Sequence, residues 1–150
     1  MRVEATISDD YPQLRLGNQL CFPLYAAARR VVNSYTPYLK PVGLTYTQYI
    51  VMMALWEKEV LTVGELCRLL YLDNGTVTPL LKKLEDAGYV SRSRSKTDER
   101  VVTVNITDVG RSLREQAKDV PFAVGKCISM QPDEAQTLHK LLHKLMDITD

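Results

Sequence analysis

The stretch from residue 62 to 106 limits the possible folds more than any other part of the chain. It consists of TVGELCRLLYLDNGTVTPLLKKLEDAG followed by YVSRSRSKTDERVVTVNI. A threonine with a glutamate three residues later forms a capping box for a first helix. Asp73 or Asn74 can cap a second helix, which Gly88 is suited to end. Pro79 is tolerated only near a first turn, so the second helix is expected to begin late or to be distorted. The alternating runs after it predict a β-hairpin with a polar tip.

Helical patterns continue on the N-terminal side of this unit. Residues 14–35 repeat apolar side chains at helical spacing. Pro23 lies inside this stretch, so the helix starts near Leu20 or bends there. The segment TPYLKPVG then predicts a break or short turn. Thr45 or Thr47 can cap the next helix, YTQYIVMMALWEKE.

Two further helices are expected after the hairpin. The first starts at Thr107 with DVGRSLREQAKDVPFAVGKCISM and is interrupted by Pro121 and Gly125. The second starts after Pro132 with DEAQTLHKLLHKLMDI. The terminal helices carry more apolar surface than one small core can bury, which predicts burial against a second copy of the chain.

Composition excludes several classes of protein. The 150 residues suit one domain, and a content of 45% apolar and 25% charged residues is ordinary for a soluble globular protein. A net charge of +1 neither requires nor excludes a nucleic-acid partner. No apolar run reaches the about 18 residues of a membrane span. The acids in MRVEATISDD do not fit a signal peptide, so we expect a cytoplasmic protein with reduced thiols.

Metal binding has little support in the sequence. Cys21, Cys67 and Cys127 are far apart and form no CxxC pair, which argues against a structural zinc site. His139 and His143 are spaced for one helix face but have no evident third ligand, so we interpret them as surface or interface residues. We expect no metal and no cofactor.

The second helix of the 62–106 unit and the hairpin carry side chains suited to DNA. The second helix of a helix-turn-helix enters the major groove, where threonine can contact bases and its first-turn amides a phosphate. Lysines further along can reach phosphates, and basic residues of the hairpin can lie in the minor groove. Asp98 can pair with Arg100 and fix its direction. The candidate DNA-binding residues are Asn74, Gly75, Thr76, Thr78, Pro79, Lys82, Lys83, Arg92, Arg94, Lys96, Asp98 and Arg100.

Each basic residue alone could equally belong to a solvated surface, but their arrangement favours double-stranded DNA as a partner. The expected fold class is mainly α with a small β-hairpin wing: a winged helix-turn-helix with N- and C-terminal dimerisation helices. We divide the chain into a flexible arm (1–13), an N-terminal dimerisation and sensing region (14–44), a DNA-binding winged helix-turn-helix (45–106) and C-terminal dimerisation helices (107–150).

These residues resemble a known family. The segment from residue 61 to 110, with its L…G.V.P.L..LE..GY pattern and the DER of the wing, resembles the winged-helix core of the MarR family of bacterial regulators. LGNQLCFPLYAAARRVVNSY and GLTYTQYIVMMALWE are similar to its organic-hydroperoxide-sensing, OhrR-type branch. The resemblance covers residues 14–147. It implies a homodimer that binds a palindromic operator and represses a peroxidase gene until a peroxide oxidises one cysteine.

The resemblance also implies roles for individual residues. The peroxide-sensing cysteine matches Cys21, and the two phenols that hydrogen-bond it match Tyr35 and Tyr46. Cys127 lies where the two-cysteine subtype has a resolving cysteine, which pairs with the sensing cysteine of the other subunit. Members without a resolving cysteine form mixed disulfides with small thiols. Pro23, just after Cys21, departs from the commoner pattern.

The chemistry needs a thiolate at Cys21, because the thiolate is the form that attacks a peroxide. A helix N-terminus and hydroxyl donors favour that anion. The apolar neighbours Phe22 and Leu24 suit the tail of an organic hydroperoxide. The product is a sulfenic acid, which condenses with a thiol. A disulfide with Cys127 requires the two Cα atoms to be within about 7 Å.

Other interpretations remain open at this point. Cys21, Cys127 and the tyrosines could be ordinary packing residues, while Cys67 is expected to be an inert core residue. A repressor of the same fold could instead be released by a small aromatic ligand that enters between the DNA-binding unit and the dimer helices. An enzyme such as a thiol peroxidase is disfavoured, because the basic residues are placed on a DNA-shaped unit.

Overall fold

The computed structural model describes residues 11–147. Most of the predicted flexible arm, and the last three residues of the chain, lie outside the described residues. Two 3-10 turns, Pro12–Leu14 and Leu16–Asn18, precede the first helix. The α-helices of the described part are α1 Cys21–Ser34, α2 Thr36–Leu39, α3 Tyr46–Lys58, α4 Val63–Leu70, α5 Asn74–Asp86, α6 Asp108–Ser112, α7 Arg114–Ala117, α8 Val120–Gly125 and α9 Pro132–Met146. The strands are β1 Val60–Thr62, β2 Val90–Arg94 and β3 Val102–Ile106.

The predicted hairpin is present as β2 and β3, which pair antiparallel from Val90 opposite Ile106 to Arg94 opposite Val102. We call residues 90–106 the wing. The short strand β1 adds to the other edge of β3, so that the sheet order is β1-β3-β2. The sequence pattern did not reveal β1, because three residues directly before a helix carry no alternation.

Side-chain caps fix where the central helices begin. Thr45 caps α3 and Thr62 caps α4, each in a capping box. Asp73 accepts the Thr76 amide at 2.8 Å and caps α5, as the sequence predicts. The cap starts α5 at Asn74, so the expectation that Pro79 delays the helix is wrong. Proline in the second turn removes only one amide, and the Asp73 cap and the buried face of α5 outweigh that loss.

The N-terminal segment matches the prediction in one place and differs in another. Helix α1 begins at Cys21 with Pro23 in its first turn, which confirms a start near Leu20. The expected break after α1 instead contains the short helix α2. Pro37 lies in the first turn of α2, where a missing amide costs no hydrogen bond, and Leu39 anchors the helix in the core.

The segment after the wing is more divided than the sequence suggests. Three short helices, α6, α7 and α8, replace the single interrupted helix, with breaks at Leu113 and at 118–119. The expected interruptions are present: the break at 118–119 directly precedes Pro121, which lies in the first turn of α8, and α8 ends at Gly125. Gly110 lies against the Tyr89 carbonyl so closely that a Cβ would overlap it. The Trp56 indole donates to the Gly110 carbonyl at 2.8 Å, which joins α6 to α3.

One hydrophobic core holds this arrangement together. It takes side chains from α2 to α8 and from β2 and β3. Its buried members are Leu39, Val42, Leu44, Tyr49, Val51, Met52, Ala54, Leu55, Leu66, Val77, Leu80, Leu81, Leu84, Val90, Val104, Ile106, Leu113, Ala117, Val120 and Val124. We call residues 39–124, which contain all of these, the body.

The terminal helices α1 and α9 differ from the body. Neither contains a buried residue. Helix α9 leaves Leu138, Leu141 and Leu145 exposed along one face. Among residues 11–147, no helix combines the length and hydropathy that crossing a membrane would require.

Candidate nucleic-acid interface and thiol site

The start of α5 is organised by hydrogen bonds that the sequence only partly predicts. The Thr76 hydroxyl donates to Asp73 at 2.9 Å, so it supports the cap. The bonds from Thr76 hold the pKa of Asp73 below its ordinary value. The Cys67 thiol donates to the Asn74 side-chain oxygen at 3.4 Å. Thr78, one turn further, is exposed. Cys67 is half-buried against the core as expected, but it also contacts the beginning of this helix.

The basic side chains of α5 and of the wing point to solvent, with one exception. Exposed members are Lys82, Lys83, Arg94, Lys96 and Arg100. The predicted ion pair is present at the wing tip, where Arg100 Nε lies 3.7 Å from Asp98 Oδ1. The Arg100 amide also donates to this carboxylate at 3.0 Å, while its side chain is 96% exposed.

Arg92 is the exception. Its backbone amide, Nε and Nη2 all donate to the Glu85 carboxylate, at 2.9, 2.9 and 2.7 Å. These bonds hold the pKa of Glu85 below its ordinary value. The sequence predicts a DNA contact for Arg92 and did not single out Glu85, because nothing in a linear pattern pairs the end of a helix with the next strand.

Helix α5 and the wing border a common open cavity of about 480 Å³. Asn74, Thr78, Arg92 and Arg100 line it together with the first turn of α4. The structure therefore brings four of the candidate residues, two from α5 and two from the wing, to one cavity.

The Cys21 thiol is exposed at the first residue of α1. Phe22 and Leu24 beside it are 44% and 39% exposed. Tyr35 and Tyr46 contact each other, with ring centroids 4.9 Å apart, and burial raises the pKa of Tyr46.

Tyr35 follows the last residue of α1, fourteen residues after Cys21. At the rise of an α-helix this places it about 21 Å away along the axis. A single chain therefore does not bring the sensing thiol to the two phenols.

The Cys127 thiol lies beside the other half of α1. Its Sγ is 3.4 Å from the Tyr38 hydroxyl and donates to the Ala123 carbonyl at 3.6 Å. The hydrogen bond with Cys127 raises the pKa of Tyr38. Cys127 also lines a cavity of about 360 Å³ with Ala27, Arg30, Val31, Ser34 and Ile128. Tyr38 was missed by the sequence analysis, since 89 residues separate it from Cys127.

No metal site is evident in the described part of the chain. His139 and His143 face each other with Nε2 atoms 3.1 Å apart on exposed turns of α9. Among residues 11–147, no cluster of three or more potential metal ligands occurs.

Comparison with known proteins agrees with this architecture. A family model described as transcriptional regulator SarA/Rot matches residues 33–117. An organic hydroperoxide resistance transcriptional regulator of Bacillus subtilis is 38% identical over 94% of this chain and 96% of its own length. Reduced AbfR bound to DNA, from Staphylococcus epidermidis, is 36% identical with a TM-score of 0.75, over 89% of this chain and 92% of AbfR. Disulfide-formed AbfR is 37% identical with a TM-score of 0.62, over 90% and 95%.

These similarities define a winged-helix transcriptional regulator. The chain belongs to the MarR and SarA/Rot family of such regulators. Membership confirms the predicted fold class and the prediction of a regulator instead of an enzyme. The two-cysteine subtype stays a prediction.

Proposed function

We propose that the protein is a cytoplasmic, homodimeric repressor that senses organic hydroperoxides through oxidation of Cys21 and then releases a palindromic operator. One observation carries this proposal: an exposed cysteine begins a helix whose apolar face is uncovered, in a chain that also contains a complete winged helix-turn-helix. The B. subtilis relative, named for organic hydroperoxide resistance, supports the choice of oxidant.

The DNA-binding part of the proposal rests on the cavity that α5 and the wing border together. Helix α5 enters the major groove, with Thr78 near base edges and Lys82 and Lys83 near phosphates. The wing enters the adjacent minor groove with Arg100, which Asp98 orients. Arg94 and Lys96 contact the backbone beside it. The likeness to reduced, DNA-bound AbfR supports this docking.

The dimer part rests on the terminal helices. A second copy of the chain can cover the exposed leucines of α9. Each Å² of apolar surface that is buried in this way stabilises the dimer by about 25 cal/mol. Since Tyr35 lies about 21 Å along α1 from Cys21 of its own chain, the phenols that hydrogen-bond Cys21 come from the partner subunit. Dimerisation is then required to complete the thiol site.

The sensing step is a displacement on the peroxide bond. The Cys21 thiol, at the first residue of α1, reacts as its thiolate, which attacks the terminal oxygen of the hydroperoxide and breaks the O–O bond. The sulfur becomes a sulfenic acid, and the leaving alkoxide takes a proton to become an alcohol. Phe22 and Leu24 contact the organic part of the oxidant.

The second step uses Cys127. Its thiol attacks the Cys21 sulfenic acid, a disulfide forms and water leaves. Within one chain Cys127 borders α1 at residues 27–34. These residues lie about 9 to 20 Å from Cys21 along the helix axis. A disulfide requires the two Cα atoms to be within about 7 Å, and this separation is larger. The disulfide therefore joins two subunits. Moving the helices to form it changes the spacing of the two α5 helices and releases the operator.

The test measures release of the operator after addition of cumene hydroperoxide. The operator is a duplex selected from random-sequence DNA, and fluorescence anisotropy monitors its binding. The wild type is expected to release the duplex, and Cys21→Ser to retain it at the same peroxide concentration. Cys67→Ser is the matched control and should respond like the wild type. Release by Cys21→Ser at wild-type peroxide concentrations contradicts the sensing role.

A non-reducing gel tests the resolving role of Cys127. Oxidised wild type should run at twice the 17.0 kDa subunit mass, and Cys127→Ser should remain a monomer band. A persistent dimer band in Cys127→Ser would show that another cysteine forms the bridge.

A second candidate function has an observation in its favour. A cavity of about 470 Å³ lies between α1, α2 and α3, lined by Val32, Leu39, Leu44, Tyr46 and neighbouring polar residues. Its size and apolar lining suit a small aromatic ligand. Operator release by hydroxybenzoates in a variant without cysteines would favour this alternative over thiol oxidation.

A further inference from the structure

We propose that the ion pair between Glu85 and Arg92 positions the wing relative to α5, so that Arg92 supports DNA binding through Glu85 and not by touching DNA. The inference rests on the proposed DNA binding and adds a positioning pair to it. It differs from the direct contact that the sequence predicts for Arg92.

The contact joins the last turn of α5 to the first strand of the wing. Glu85 Oε1 accepts the Arg92 backbone amide at 2.9 Å. Glu85 Oε2 accepts both Nε and Nη2 of the guanidinium, at 2.9 and 2.7 Å. One carboxylate thus fixes both the main chain and the side chain of the same residue, by charge-assisted bonds that are stronger than neutral ones.

This ion pair is also the most sheltered in the described part of the chain. The side chains of Arg92 and Glu85 are 26% and 34% exposed. Every other ion pair between described residues joins side chains that are each at least 43% exposed. Partial shelter from water reduces screening, so this pair contributes more to local geometry than the surface pairs do.

Arg94 provides the contrast within the same strand. It lies two residues after Arg92 and therefore on the same face of β2. It is exposed, and no carboxylate of residues 11–147 lies within ion-pair distance of it. Two arginines on one strand face thus have different surroundings: Arg94 is available to a phosphate, whereas Arg92 already has an anionic partner.

The position of the pair explains why it affects DNA binding. Only a short turn with Gly88 in the left-handed region connects α5 to β2. The wing tip near Asp98 lies six residues beyond Arg92, and since β2 ends at Arg94 it is at most about 20 Å away. A rotation of about 10° at the junction then displaces the tip by up to about 3.5 Å. The core residues of β2 and β3 hold the base of the wing, and the pair adds the contact that limits rotation of the wing against α5.

The test measures affinity for the selected operator duplex as a function of KCl concentration. The variants are Glu85→Gln and Arg92→Gln, their double variant, and Arg94→Gln as the matched control. Each single variant of the pair should weaken binding about tenfold, as expected for a lost hydrogen bond to a charged group, with an unchanged salt slope. The double variant should be no weaker than either single one, because both remove the same contact.

The control gives a different signature. Arg94→Gln should reduce the slope of log affinity against log salt by about 0.9 per lost phosphate contact, or about 2 for a dimer. Glu85→Gln is the decisive variant. Removing a negative charge near DNA strengthens binding by simple electrostatics, whereas loss of positioning weakens it. Tighter binding by Glu85→Gln, or a slope change in Arg92→Gln like that of Arg94→Gln, overturns the inference.

A measurement without DNA separates this inference from the proposed function. Amide hydrogen exchange at Arg92 in the free protein should be about tenfold faster in Glu85→Gln than in wild type. Exchange in the core helix α3 should stay unchanged and show that the variant is folded. Unchanged exchange at Arg92 rejects the positioning pair even if the protein binds DNA, and failure of the wild type to bind any duplex rejects the proposed function instead.

Discussion

The body and the terminal helices bury their apolar side chains in different ways. All twenty buried hydrophobic residues of the described chain lie between Leu39 and Val124. Helices α1 and α9 contain none and expose Phe22, Leu24 and Leu141 to solvent. The body thus completes its core within one chain, while the terminal helices have apolar faces that a single chain leaves uncovered.

The cysteines follow the same division. Cys67 belongs to the body and is half-buried, whereas Cys21 and Cys127 are exposed, at the start of α1 and after α8. In the proposed mechanism, the reactive thiols therefore lie where the structure depends on a second subunit. Oxidation can then alter the arrangement of subunits without unfolding either DNA-binding unit.

The largest expected change in stability comes from a substitution that creates a cavity in the core of the body. Leu55 on α3 is completely buried, so Leu55→Ala should reduce the free energy of unfolding by about 2–5 kcal/mol. Urea denaturation, monitored by circular dichroism, measures this loss of stability. The loss should be the same at all protein concentrations, because the lost contacts lie within one chain. A loss that disappears at high protein concentration would place this core at a subunit interface.

A charge on α9 should act differently. Leu141 is 53% exposed in one chain, and we expect Leu141→Lys to remove burial worth about 1.5–3 kcal/mol per subunit from the dimer. Sedimentation velocity should show a shift towards monomers, with little change in the circular dichroism of the body.

The matched control for that variant is Gln136→Lys, on the opposite face of α9. It adds the same charge and should leave the sedimentation profile unchanged. Equal dissociation by both variants would mean that charge, and not the apolar face, controls association.

A smaller effect is expected at a helix cap of the body. The Thr62 hydroxyl accepts the Glu65 amide at 3.2 Å, and Thr62→Ala should lower the free energy of unfolding by about 1 kcal/mol. Thermal unfolding measures the change, with Thr62→Ser as the control that keeps the hydroxyl. If serine and alanine are equally destabilising, the cap is not the cause.

The smallest effect concerns pH. Hydrogen bonds from Thr62 hold the pKa of Glu65 below its ordinary value of 4.5. A carboxyl group with a lower pKa in the folded state stabilises the protein above its ordinary pKa, and this contribution is lost as the pH falls through the lowered value. Stability should therefore decline below about pH 4.5 in the wild type.

Glu65→Gln should show a shallower decline than the wild type over that range, and Glu57→Gln, outside the cap, should not. Urea midpoints measured from pH 6 to 3 decide between these outcomes. Identical acid profiles for Glu65→Gln and the wild type would contradict the role of this carboxylate.

Short-range patterns predicted the parts of the fold that depend on neighbouring residues. The caps at Thr62 and Asp73 and the hairpin at 90–106 were correct, because each depends on hydrogen bonds or alternation within a few residues. The expectation that Pro79 delays its helix was wrong, because α5 begins at Asn74, whereas the expected interruption at Pro121 is present as the break at 118–119. Whether a proline delays, interrupts or begins a helix depends on the packing of the flanking turns, which no local pattern contains.

In the candidate site too, contacts between residues close in sequence were predicted, and contacts that depend on tertiary structure were missed. The sequence correctly predicted the pairing of Asp98 with Arg100, two residues apart, whereas the sensing role of Cys21 stays a prediction. It missed Tyr38 beside Cys127 and Glu85 beside Arg92. The first of these pairs requires distant segments to meet, and the second requires the turn after α5 to fold a strand back along the helix.

The order of residues alone determined that this chain forms capped helices followed by a basic hairpin, because capping and alternation act between residues only three or four positions apart. Tertiary structure alone decided which charged groups remain available. Arg92 has an anionic partner and Arg94 has none among the described residues, since the Glu85 carboxylate reaches one guanidinium and not the other. The sequence determines which side chains are charged. Which of them form ion pairs depends on the distance between the charges and on their exposure to water, and both are defined only in the folded chain.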